Sequence, residues 1–490
     1  MTRNDFPAGL VLDAHKRQAA DGVIVELGAP THVVLALDQG SGTLLESVVA
    51  VGDLVAVGTV IARPADVYGA VLHAPVSGRV TAVETCDAAS ATGACRCIEI
   101  ENDGRDAVEP AGWRGDAFAL EPPDLVGRLG EAGIAGLGGA AFPTATKLQA
   151  ARERAARQLL LNGAECEPWI CCDDALMRAD ASDVVLGARL LMRALEATSC
   201  VVVIEDDKPA AVAALRQAIE VARARDVVVE VVPAVYPQGA ERQLVTAVTG
   251  LEVPSGGLPA DVGVTCQNVA TAAAAARWAR SGEPCVSRVV TITGSGVARP
   301  MNVRARLGTP LSTLIDAAGG YRGEPLRLIA GGNMTGRALA SDDVGLAKAI
   351  NCVLVATRAD LQPRLDAFEQ PCIRCGDCAT VCPPRLLPQQ IHRAVRAGAD
   401  EAAVQLGVWD CIDCGCCDYV CPSQIPLALR FREARARLRE RAAATARAAA
   451  ARERFESHER RLQEAAVAEQ QAFDVAREQA RGSIEPGRSP

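Results

Sequence analysis

Eight of the nineteen cysteines stand in two copies of one spacing pattern, which is typical of ligands to iron–sulfur clusters. Three thiolates at three-residue intervals can surround three corners of a four-iron cube from one tight loop, while a fourth cysteine, directly before a proline, reaches the other cluster. The pattern predicts two [4Fe–4S] clusters and a protein that moves single electrons. The predicted ligands are Cys372, Cys375, Cys378 and Cys421 for one cluster, and Cys411, Cys414, Cys417 and Cys382 for the other.

Zinc knuckles and a disulfide framework are the two alternative explanations for so many cysteines. Zinc sites favour separated pairs of cysteines over three at an unbroken interval. Residues 1–5 lack the charged-then-apolar pattern of a secretion signal, so we expect a reducing compartment, the cytoplasm, and no disulfide framework. Cys416 stands beside Cys417, and we expect its side chain to point away from the cluster.

Composition excludes several classes of protein. A chain of 490 residues with 49% apolar residues should form three or four domains with ordinary cores. A net charge of −9, without a basic stripe carrying interleaved aromatic residues, argues against nucleic-acid binding. The most apolar stretch, residues 184–204, is interrupted by Arg189, Arg193 and Glu196, so it predicts an amphipathic helix followed by a buried strand. No transmembrane segment is predicted.

The elements that must position the cysteines predict a multidomain α/β and α+β architecture. Residues 20–115 have short alternating runs and a Gly-Asp turn, and resemble the barrel-sandwich domain of lipoyl and biotin carriers. No lysine occurs at 63–70, so carrier chemistry is not expected, and His73 is expected to be structural. Residues 120–285 alternate helices with apolar runs at 159–161, 201–204 and 227–232, which predicts a parallel sheet.

The remaining chain divides into three further predicted segments. Residues 286–358 form a smaller α+β unit, whose helix should begin with Thr309 as N-cap and Pro310 as first helical residue. Residues 360–429 form the two-cluster ferredoxin domain. Residues 430–481 are rich in Ala, Arg, Glu and Gln without Gly or Pro, which predicts one long exposed helix, and residues 482–490 are expected to be disordered.

Electrons need an entry point upstream of the clusters. A cluster accepts one electron at a time whereas a nicotinamide donates a hydride, and a flavin is the usual converter. The first candidate flavin site is the glycine-rich loop 136–147, where glycines allow close approach to a phosphate, a following helix start would aim N–H groups at it, and Lys147 would neutralise charge. No strand precedes this loop, so the Rossmann motif does not apply. The alternative is a tight structural turn.

The second candidate is the loop 161–168, which follows a buried strand where α/β sheets place their ligands. Asn162 can hydrogen-bond the edge of a flat polar ring. The carboxylates of Glu165 and Glu167 could receive ribose or nicotinamide groups. The alternative is a polar turn ended by Pro168.

Several long stretches give the chain a resemblance to a known family. Over residues 20–440 it resembles the C subunit of the Rnf ion-translocating electron-transport complex. The first two stretches also resemble the NADH- and FMN-binding subunit of respiratory complex I. The stretches that carry the resemblance are 138–144, 162–168, 236–241, 253–259, 410–415 and 421–426.

The resemblance implies non-covalent FMN, NADH as substrate, and a β-grasp (SLBB-like) module at 286–358. Phe142 should stack on an NADH ring, Asn162 should contact the flavin, and Glu165 should face the nicotinamide as the catalytic residue. Complex I carries Arg and Gly where this chain has Leu137 and Ala141, and one cluster rather than two. The implied cofactor-binding residues are Gly136, Gly138, Gly139, Phe142, Thr144, Lys147, Asn162 and Glu167.

The resemblance also implies a function. The chain would be a peripheral subunit on the cytoplasmic side of the bacterial inner membrane, passing electrons from NADH through FMN and both clusters to the ferredoxin-like B subunit. Membrane subunits of the complex would couple this flow to Na⁺ or H⁺ movement. Two other functions remain open at this point: a flavin-dependent cobalamin reductase of the same layout, and a non-enzymatic iron–sulfur electron wire.

Overall fold

A computed structural model describes residues 8–20, 22–65, 70–90, 93–109, 113, 115–361 and 368–482. The chain divides into two compact units, one of residues 1–390 and 409–428, the other of residues 391–408 and 429–490. The disorder predicted for residues 482–490 is wrong at Gly482, which is the last residue of a helix, while residues 483–490 lie outside the described ranges, as do residues 66–69 of the barrel tip.

The first described residues, 8–20 and 22–26, form a segment that we call the N-terminal strap. It contains helix α1 (Arg17–Ala20) and strand β1 (Val25–Glu26). Although residues 20–115 are predicted to form the barrel, the strap pairs with domains that come much later in the sequence. Leu10 pairs with Tyr236 through backbone hydrogen bonds, and the Ala14 carbonyl accepts the Trp169 N–H. The Ala19 carbonyl accepts a hydrogen bond from the Asn302 side chain, and β1 pairs with Val303 and Arg304.

Two antiparallel sheets then form the predicted barrel-sandwich. Apolar side chains alternate inward from both sheets, and Val33, Ile61, Leu72, Val80 and Ile98 are fully buried between them. The sheets have the orders β2-β8-β7-β4 and β3-β5-β6. Their strands are β2 (His32–Ala36), β3 (Leu45–Ser47), β4 (Leu54–Val55), β5 (Val60–Pro64), β6 (Leu72–His73), β7 (Gly78–Asp87) and β8 (Ala94–Asn102).

Two features of the barrel relate to expectations from the sequence: the state of His73 and the state of the cysteines. Burial, together with the charges of Lys348 and Arg63, lowers the pKa of His73 to about 3, so this imidazole is neutral. A disulfide joins Cys86 to Cys97 across β7 and β8, with the Cα atoms 6.0 Å apart. The other cysteines of the described ranges form no disulfide, so a single bridge departs from the reducing chemistry that the sequence predicts.

A four-stranded parallel sheet forms the next domain, as the apolar runs predict. Leu159, Leu160, Leu161 and Val202 are fully buried because helices cover both faces of the sheet. The strand order is β11-β10-β9-β12. The elements are α2 (Pro122–Glu131), α3 (Thr144–Glu153), β9 (Gln158–Gly163), α4 (Cys172–Ala179), α5 (Ala181–Leu195), β10 (Ser199–Glu205), α6 (Pro209–Val221), β11 (Val227–Val232), α7 (Glu241–Thr249), β12 (Val264–Asn268) and α8 (Val269–Ser281).

Helices α5 and α8 pack closely because Gly187 of α5 has no side chain. A Cβ atom at Gly187 would overlap the carbonyl oxygen of Ala272, so no larger residue fits there. We therefore expect Gly187→Ala to destabilise the protein by about 3 kcal/mol or more, since the two backbones would have to separate. Thermal unfolding followed by circular dichroism measures the loss.

The control for this prediction is Gly127→Ala in α2. Gly127 is exposed, and a Cβ atom there would meet nothing within 4 Å. Alanine should stabilise this helix position by about 0.5–1 kcal/mol. Equal melting temperatures for the two variants would contradict the close α5–α8 packing.

The β-grasp module follows as a mixed sheet with one helix. The sheet order β1-β14-β13-β17-β15-β16 includes the strand of the N-terminal strap. The start predicted for the helix is wrong by one residue: Pro310 occupies the N-cap position, and the Thr309 hydroxyl instead donates to the Arg306 carbonyl. The elements are β13 (Ser287–Thr293), β14 (Met301–Arg306), α9 (Leu311–Ala317), β15 (Arg327–Ala330), β16 (Arg337–Leu339) and β17 (Cys352–Ala356).

Lys348 joins three of these domains through backbone carbonyls. The side chain is fully buried, and its Nζ donates to the carbonyl oxygens of Val71 in the barrel, 2.9 Å away, and Gly133 after α2, 2.7 Å away. Its own backbone N–H donates to the side chain of Gln39. Burial lowers the pKa of Lys348. Because an unmade buried hydrogen bond is costly, these contacts fix the barrel against the α/β domain.

The cysteine segment adds two short helices, α10 (Asp377–Thr380) and α13 (Cys416–Val420), with α11 (Pro388–Arg396) and α12 (Asp400–Gln405) between them. The last helix, α14 (Leu427–Gly482), is 56 residues long, as the composition predicts. In the second unit, Asp400 accepts hydrogen bonds from Arg437, at 3.0 Å, and from Arg441. No helix among the described residues has both the length and the apolar character to cross a bilayer.

Candidate functional site

The parallel sheet creates a crevice where its strand order reverses. The chain runs from β9 outward through β10 to β11 and then returns to the other side of β9 as β12, so β9 and β12 flank the switch point. Ligands of open α/β sheets bind outside the carboxyl ends of strands at such a point. Asn268 is the last residue of β12 and lies directly beside Asn162, the second-last residue of β9, and the Asn268 amide donates to the Asn162 carbonyl at 3.3 Å.

The glycine loop 136–147 lies over this crevice. The Thr271 hydroxyl accepts the Leu137 N–H at 2.9 Å and donates to the Ala135 carbonyl at 3.2 Å. The buried Arg288 guanidinium donates to the Leu137 carbonyl at 2.9 Å. These contacts hold the base of the loop, while Gly138 and the two residues after it are exposed. The base of the glycine loop is therefore held in place by hydrogen bonds, while its tip is exposed to solvent.

Gly138 lies directly against Asn268. A Cβ atom at Gly138 would lie 3.0 Å from Asn268 Nδ2, so a larger residue there would require the Asn268 side chain to shift by a few tenths of an ångström. Gly136 and Gly139 lie in the same loop, and their binding roles stay predictions.

The helix predicted after the glycine loop begins at Thr144 as α3. The hydroxyl of Thr144 is buried and has no hydrogen-bond partner within the described part of the chain. Phe142 just before it is 39% exposed, so its ring is available for stacking. An orphaned buried hydroxyl and an open aromatic ring at a helix start fit a bound FMN and NADH. Both assignments stay predictions.

Lys147 has a protein partner in this structure. Its ammonium group forms an ion pair with Glu241 at the start of α7, in the stretch 236–241 that carries part of the family resemblance. Burial opposes the charge of Lys147, but Glu241 and Cys266 raise its pKa above the ordinary value. Lys147 is therefore a cation held at the crevice by a carboxylate that a phosphate would have to replace.

Both carboxylates of the loop 161–168 also have protein partners. Glu165 has φ of +49°, and its two oxygens accept the N–H groups of Asp173 and Asp174 at 2.7 and 3.1 Å, which caps helix α4. Glu167 accepts the N–H groups of Met334 and Thr335 at 2.9 and 2.8 Å. Glu167 thus holds the 331–336 turn of the β-grasp module. The contacts predicted between these carboxylates and NADH stay predictions.

The Asn162 side chain turns toward a different loop. Its amide donates to the Gly239 carbonyl at 2.8 Å, and its side-chain oxygen accepts the Ala164 N–H at 3.1 Å. Asn162 therefore holds the loop after β9 against the segment that precedes α7, at the wall of the crevice.

Electrostatic interactions link the fourth cysteine of each copy to thiols of the other copy, and Cys382 also to Cys378 of its own copy. Burial raises the pKa of Cys378, and the thiols that raise it further are Cys375, Cys421 and Cys372. Burial raises the pKa of Cys382 to about 12, with Cys414, Cys411 and Cys378 as the neighbouring thiols. Each fourth cysteine therefore lies beside the triplet of the other copy. The ligation itself stays a prediction.

The donor set of this segment is eight thiols in two copies of one motif, and its chemistry fits iron–sulfur clusters. Among the described residues, none of the eight thiols belongs to a group of three metal-binding side chains whose ligand atoms lie within 4.8 Å of one another.

Cys416 behaves differently from its neighbours. It is fully buried, and a hydrogen bond with Cys414, its largest interaction, raises its pKa far above the ordinary value while lowering that of Cys414. The thiol of Cys416 therefore faces Cys414 and does not point away from this group of cysteines as the sequence predicts, and its role as a non-ligand stays a prediction.

The crevice and the second cysteine loop touch each other. The Tyr236 hydroxyl donates to the Cys414 carbonyl at 2.6 Å. Asp410, beside Cys411, accepts from Ser255 at 2.8 Å and pairs with Arg242 at 3.5 Å. Burial and the charges of Glu167, Cys414 and Cys166 raise the pKa of Tyr236. Three residues of the α/β domain therefore hold this cysteine loop.

Sequence reasoning missed four residues of the crevice. Asn268 ends a strand and caps a helix, so the strand-end rule could have indicated it once β12 was recognised. Thr271 and Arg288 act on the glycine loop from more than 130 residues away, and Asp173 contacts Asn268; no local pattern reveals these three.

Family models match four consecutive parts of the chain. They are the RnfC barrel sandwich hybrid domain at residues 4–105, the Nuo51 FMN-binding domain at 129–277, the SLBB domain at 289–338 and the 4Fe-4S dicluster domain at 366–422. These matches and the architecture confirm the fold class that the sequence predicts. They define a multidomain protein that combines an FMN-binding domain with an iron–sulfur domain. The predicted domain boundaries stay predictions.

Curated relatives share most of the chain. The C subunit of the ion-translocating oxidoreductase complex is 42% identical in Pseudomonas aeruginosa, covering 93% of this chain and 58% of the relative. The Rhodobacter capsulatus protein is 39% identical, covering 88% and 82%, and a Haemophilus influenzae protein is 37% identical, covering 94% and 70%. The chain belongs to the family of the C subunits of this complex. It spans less than two thirds of the Pseudomonas aeruginosa and Vibrio cholerae relatives, 58% and 62% of their length.

Solved structures include a more distant likeness. The NAD⁺-reducing [NiFe]-hydrogenase in its air-oxidized state has a chain that is 22% identical with a TM-score of 0.41, covering 59% of this chain and 57% of that one.

Proposed function

We propose that this chain is the electron-input subunit of a membrane-bound Rnf-type complex, oxidising NADH and delivering single electrons to a ferredoxin-like partner subunit. Bound FMN would supply the change from hydride to single-electron chemistry, and [4Fe–4S] clusters the single-electron carriers. The chain would lie peripherally on the cytoplasmic side of the inner membrane, where other subunits couple electron flow to Na⁺ or H⁺ movement. Family membership supports this proposal over a cobalamin reductase.

In this proposal, different residues of the crevice bind the flavin phosphate, the flavin ring system and NADH. The glycine loop and Lys147 receive the flavin phosphate, while Thr271 and Arg288 keep the loop in place. Asn162 and Asn268 line the switch point where the ring system would lie. Phe142 offers its exposed ring to NADH.

The observation that carries the proposal is the contact between this crevice and the cysteine loop of Cys414. In this proposal the group of Cys411, Cys414, Cys417 and Cys382 is the near site, which the contacts of Tyr236 with Cys414 and of Ser255 with Asp410 support. The group of Cys372, Cys375, Cys378 and Cys421 is then the far site. Cys372 and Cys375 are exposed, so the far site opens to solvent, where a partner protein can approach.

An anaerobic NADH titration of the reconstituted protein tests this function. With flavin and iron counted, we expect flavin bound near one per chain, and NADH should bleach the flavin band and then the broad iron–sulfur absorption. Dithionite serves as the control, because it reduces clusters without using the NADH site. Bleaching by dithionite without any flavin band or response to NADH would leave the electron wire as the function.

A further inference from the structure

We propose that Asp173 is a positioning residue of the candidate flavin site: it fixes the Asn268 amide beneath Gly138 and holds one proton jointly with Glu165, so that the pair carries a single negative charge. This inference rests on the proposed function, because it concerns the same crevice.

Asp173 reaches the glycine loop through one intermediate. Its Oδ2 accepts a hydrogen bond from Asn268 Nδ2 at 2.6 Å. The same amide lies 3.0 Å from the position that a Cβ atom of Gly138 would take, and the other end of the Asn268 side chain caps α8 by accepting the Ala270 N–H at 2.8 Å. Asn268 is therefore held at both ends, and Asp173 decides which way its amide points.

Asp173 and Glu165 lie too close together to ionise independently. A carboxylate oxygen of each and the Cys172 thiol are all within 4.8 Å of one another. Asp173 is 6% exposed. Burial, and then the charge of Glu165, raise the pKa of Asp173 to about 7, and burial raises that of Glu165. Two carboxylates at such a distance share one proton until the pH is high enough to remove it.

The charged and titratable groups that face Asp173 and Glu165 from neighbouring elements do not cancel the rise in pKa of the pair. The cations are Lys16, Lys208 and Arg288, each of which favours the ionised form. The titratable neighbours are the thiols of Cys171, Cys172 and Cys352, all held neutral by burial. Glu165 is also stabilised as an anion by the two N–H groups of α4, which makes Asp173 the natural holder of the proton.

The test measures how flavin affinity depends on pH in the wild type and in three variants. Flavin fluorescence quenching gives the dissociation constant of FMN between pH 5.5 and 8.5, and the titration of the FMN phosphate itself cancels in the ratio of two variants. The wild-type affinity for FMN should fall by about tenfold relative to Asp173→Asn as the pH rises, because only the wild-type pair gains a second negative charge, which repels the anionic phosphate. Neutral riboflavin should show a smaller change in this ratio. Asp173→Ala should bind more weakly at every pH, since it also lacks the acceptor for Asn268 that asparagine retains.

The matched control is Asp174→Asn. Asp174 is the adjacent carboxylate, but its side chain pairs with Arg178 at 3.1 Å rather than with Glu165. This variant should keep the wild-type dependence on pH. A ratio of wild-type to Asp173→Asn affinity that stays constant with pH, or an equal change in Asp174→Asn, would overturn the inference.

A second measurement does not need the flavin. The folded pair binds a proton that an unfolded Asp, with its ordinary pKa of 3.8, has already released. Wild-type stability should therefore fall as the pH rises between about 4 and 7, and Asp173→Asn should lose that fall and melt higher at pH 8. If no variant binds flavin but this melting difference is present, the proposed function fails while the shared proton stands. Identical melting profiles would refute the shared proton itself.

Discussion

Replacing Cys382 by alanine should remove the cluster of Cys411, Cys414 and Cys417, and leave the cluster of its own triplet in place. Alanine has no ligating atom, and the structure puts Cys382 beside Cys411 and Cys414. Iron in the anaerobically reconstituted protein should fall from about eight to about four atoms per chain. Cys416→Ala should keep all of the iron.

Two double variants decide which cluster has been lost by counting iron alone. If Cys382 serves the other copy, Cys382→Ala with Cys411→Ala costs no more iron than Cys382→Ala alone, while Cys382→Ala with Cys372→Ala removes nearly all of it. If each copy of the motif served its own cluster, the two results would be exchanged. Both double variants lose two cysteines, so a difference in iron content between them reflects which cysteines share a cluster and not how many were removed.

Replacing Lys147 by methionine should weaken FMN binding by about 10- to 100-fold, the effect of one lost charge-assisted contact. Riboflavin, which lacks the phosphate, should bind this variant as it binds the wild type. The predicted target of Lys147 is the phosphate, so the ratio of the two affinities, measured by fluorescence quenching, is the informative quantity.

Glu241→Gln gives the opposite expectation for the same site. Glu241 is the present partner of Lys147, so its neutralisation should strengthen FMN binding without changing riboflavin binding. If Lys147→Met weakened both ligands equally, Lys147 would be a structural residue of α3 and not a phosphate ligand.

Local patterns predicted most of the fold. The parallel strands β9, β10 and β11 follow from runs of buried Leu and Val, and the cysteine spacing is itself a loop geometry. Strand β1 could not be predicted, because two residues without a periodic pattern pair with residues 303 and 304. The misplaced start of α9 shows the same limit, since the contact of Thr309 with Arg306 depends on tertiary structure.

The sequence indicates which types of residue form the candidate site, but not which groups their side chains contact in the folded protein. Glycines and a lysine near a helix start indicated the glycine loop, and the loop lies at the switch point. The sequence could not show that Glu241 neutralises Lys147, or that Glu167 holds the turn at Met334. Such pairings join segments far apart in sequence, where buried polar groups take whichever partner the fold brings within reach.

The N-terminal strap has a consequence for how the protein is made. Its first residues leave the ribosome early, yet Leu10 pairs with Tyr236 and β1 with Val303. Strand β1 must therefore wait unpaired for about 280 residues of synthesis, some tens of seconds at about 5–20 residues per second. During that interval the barrel can fold without its leading segment, and the β-grasp sheet gains its edge strand only late in translation.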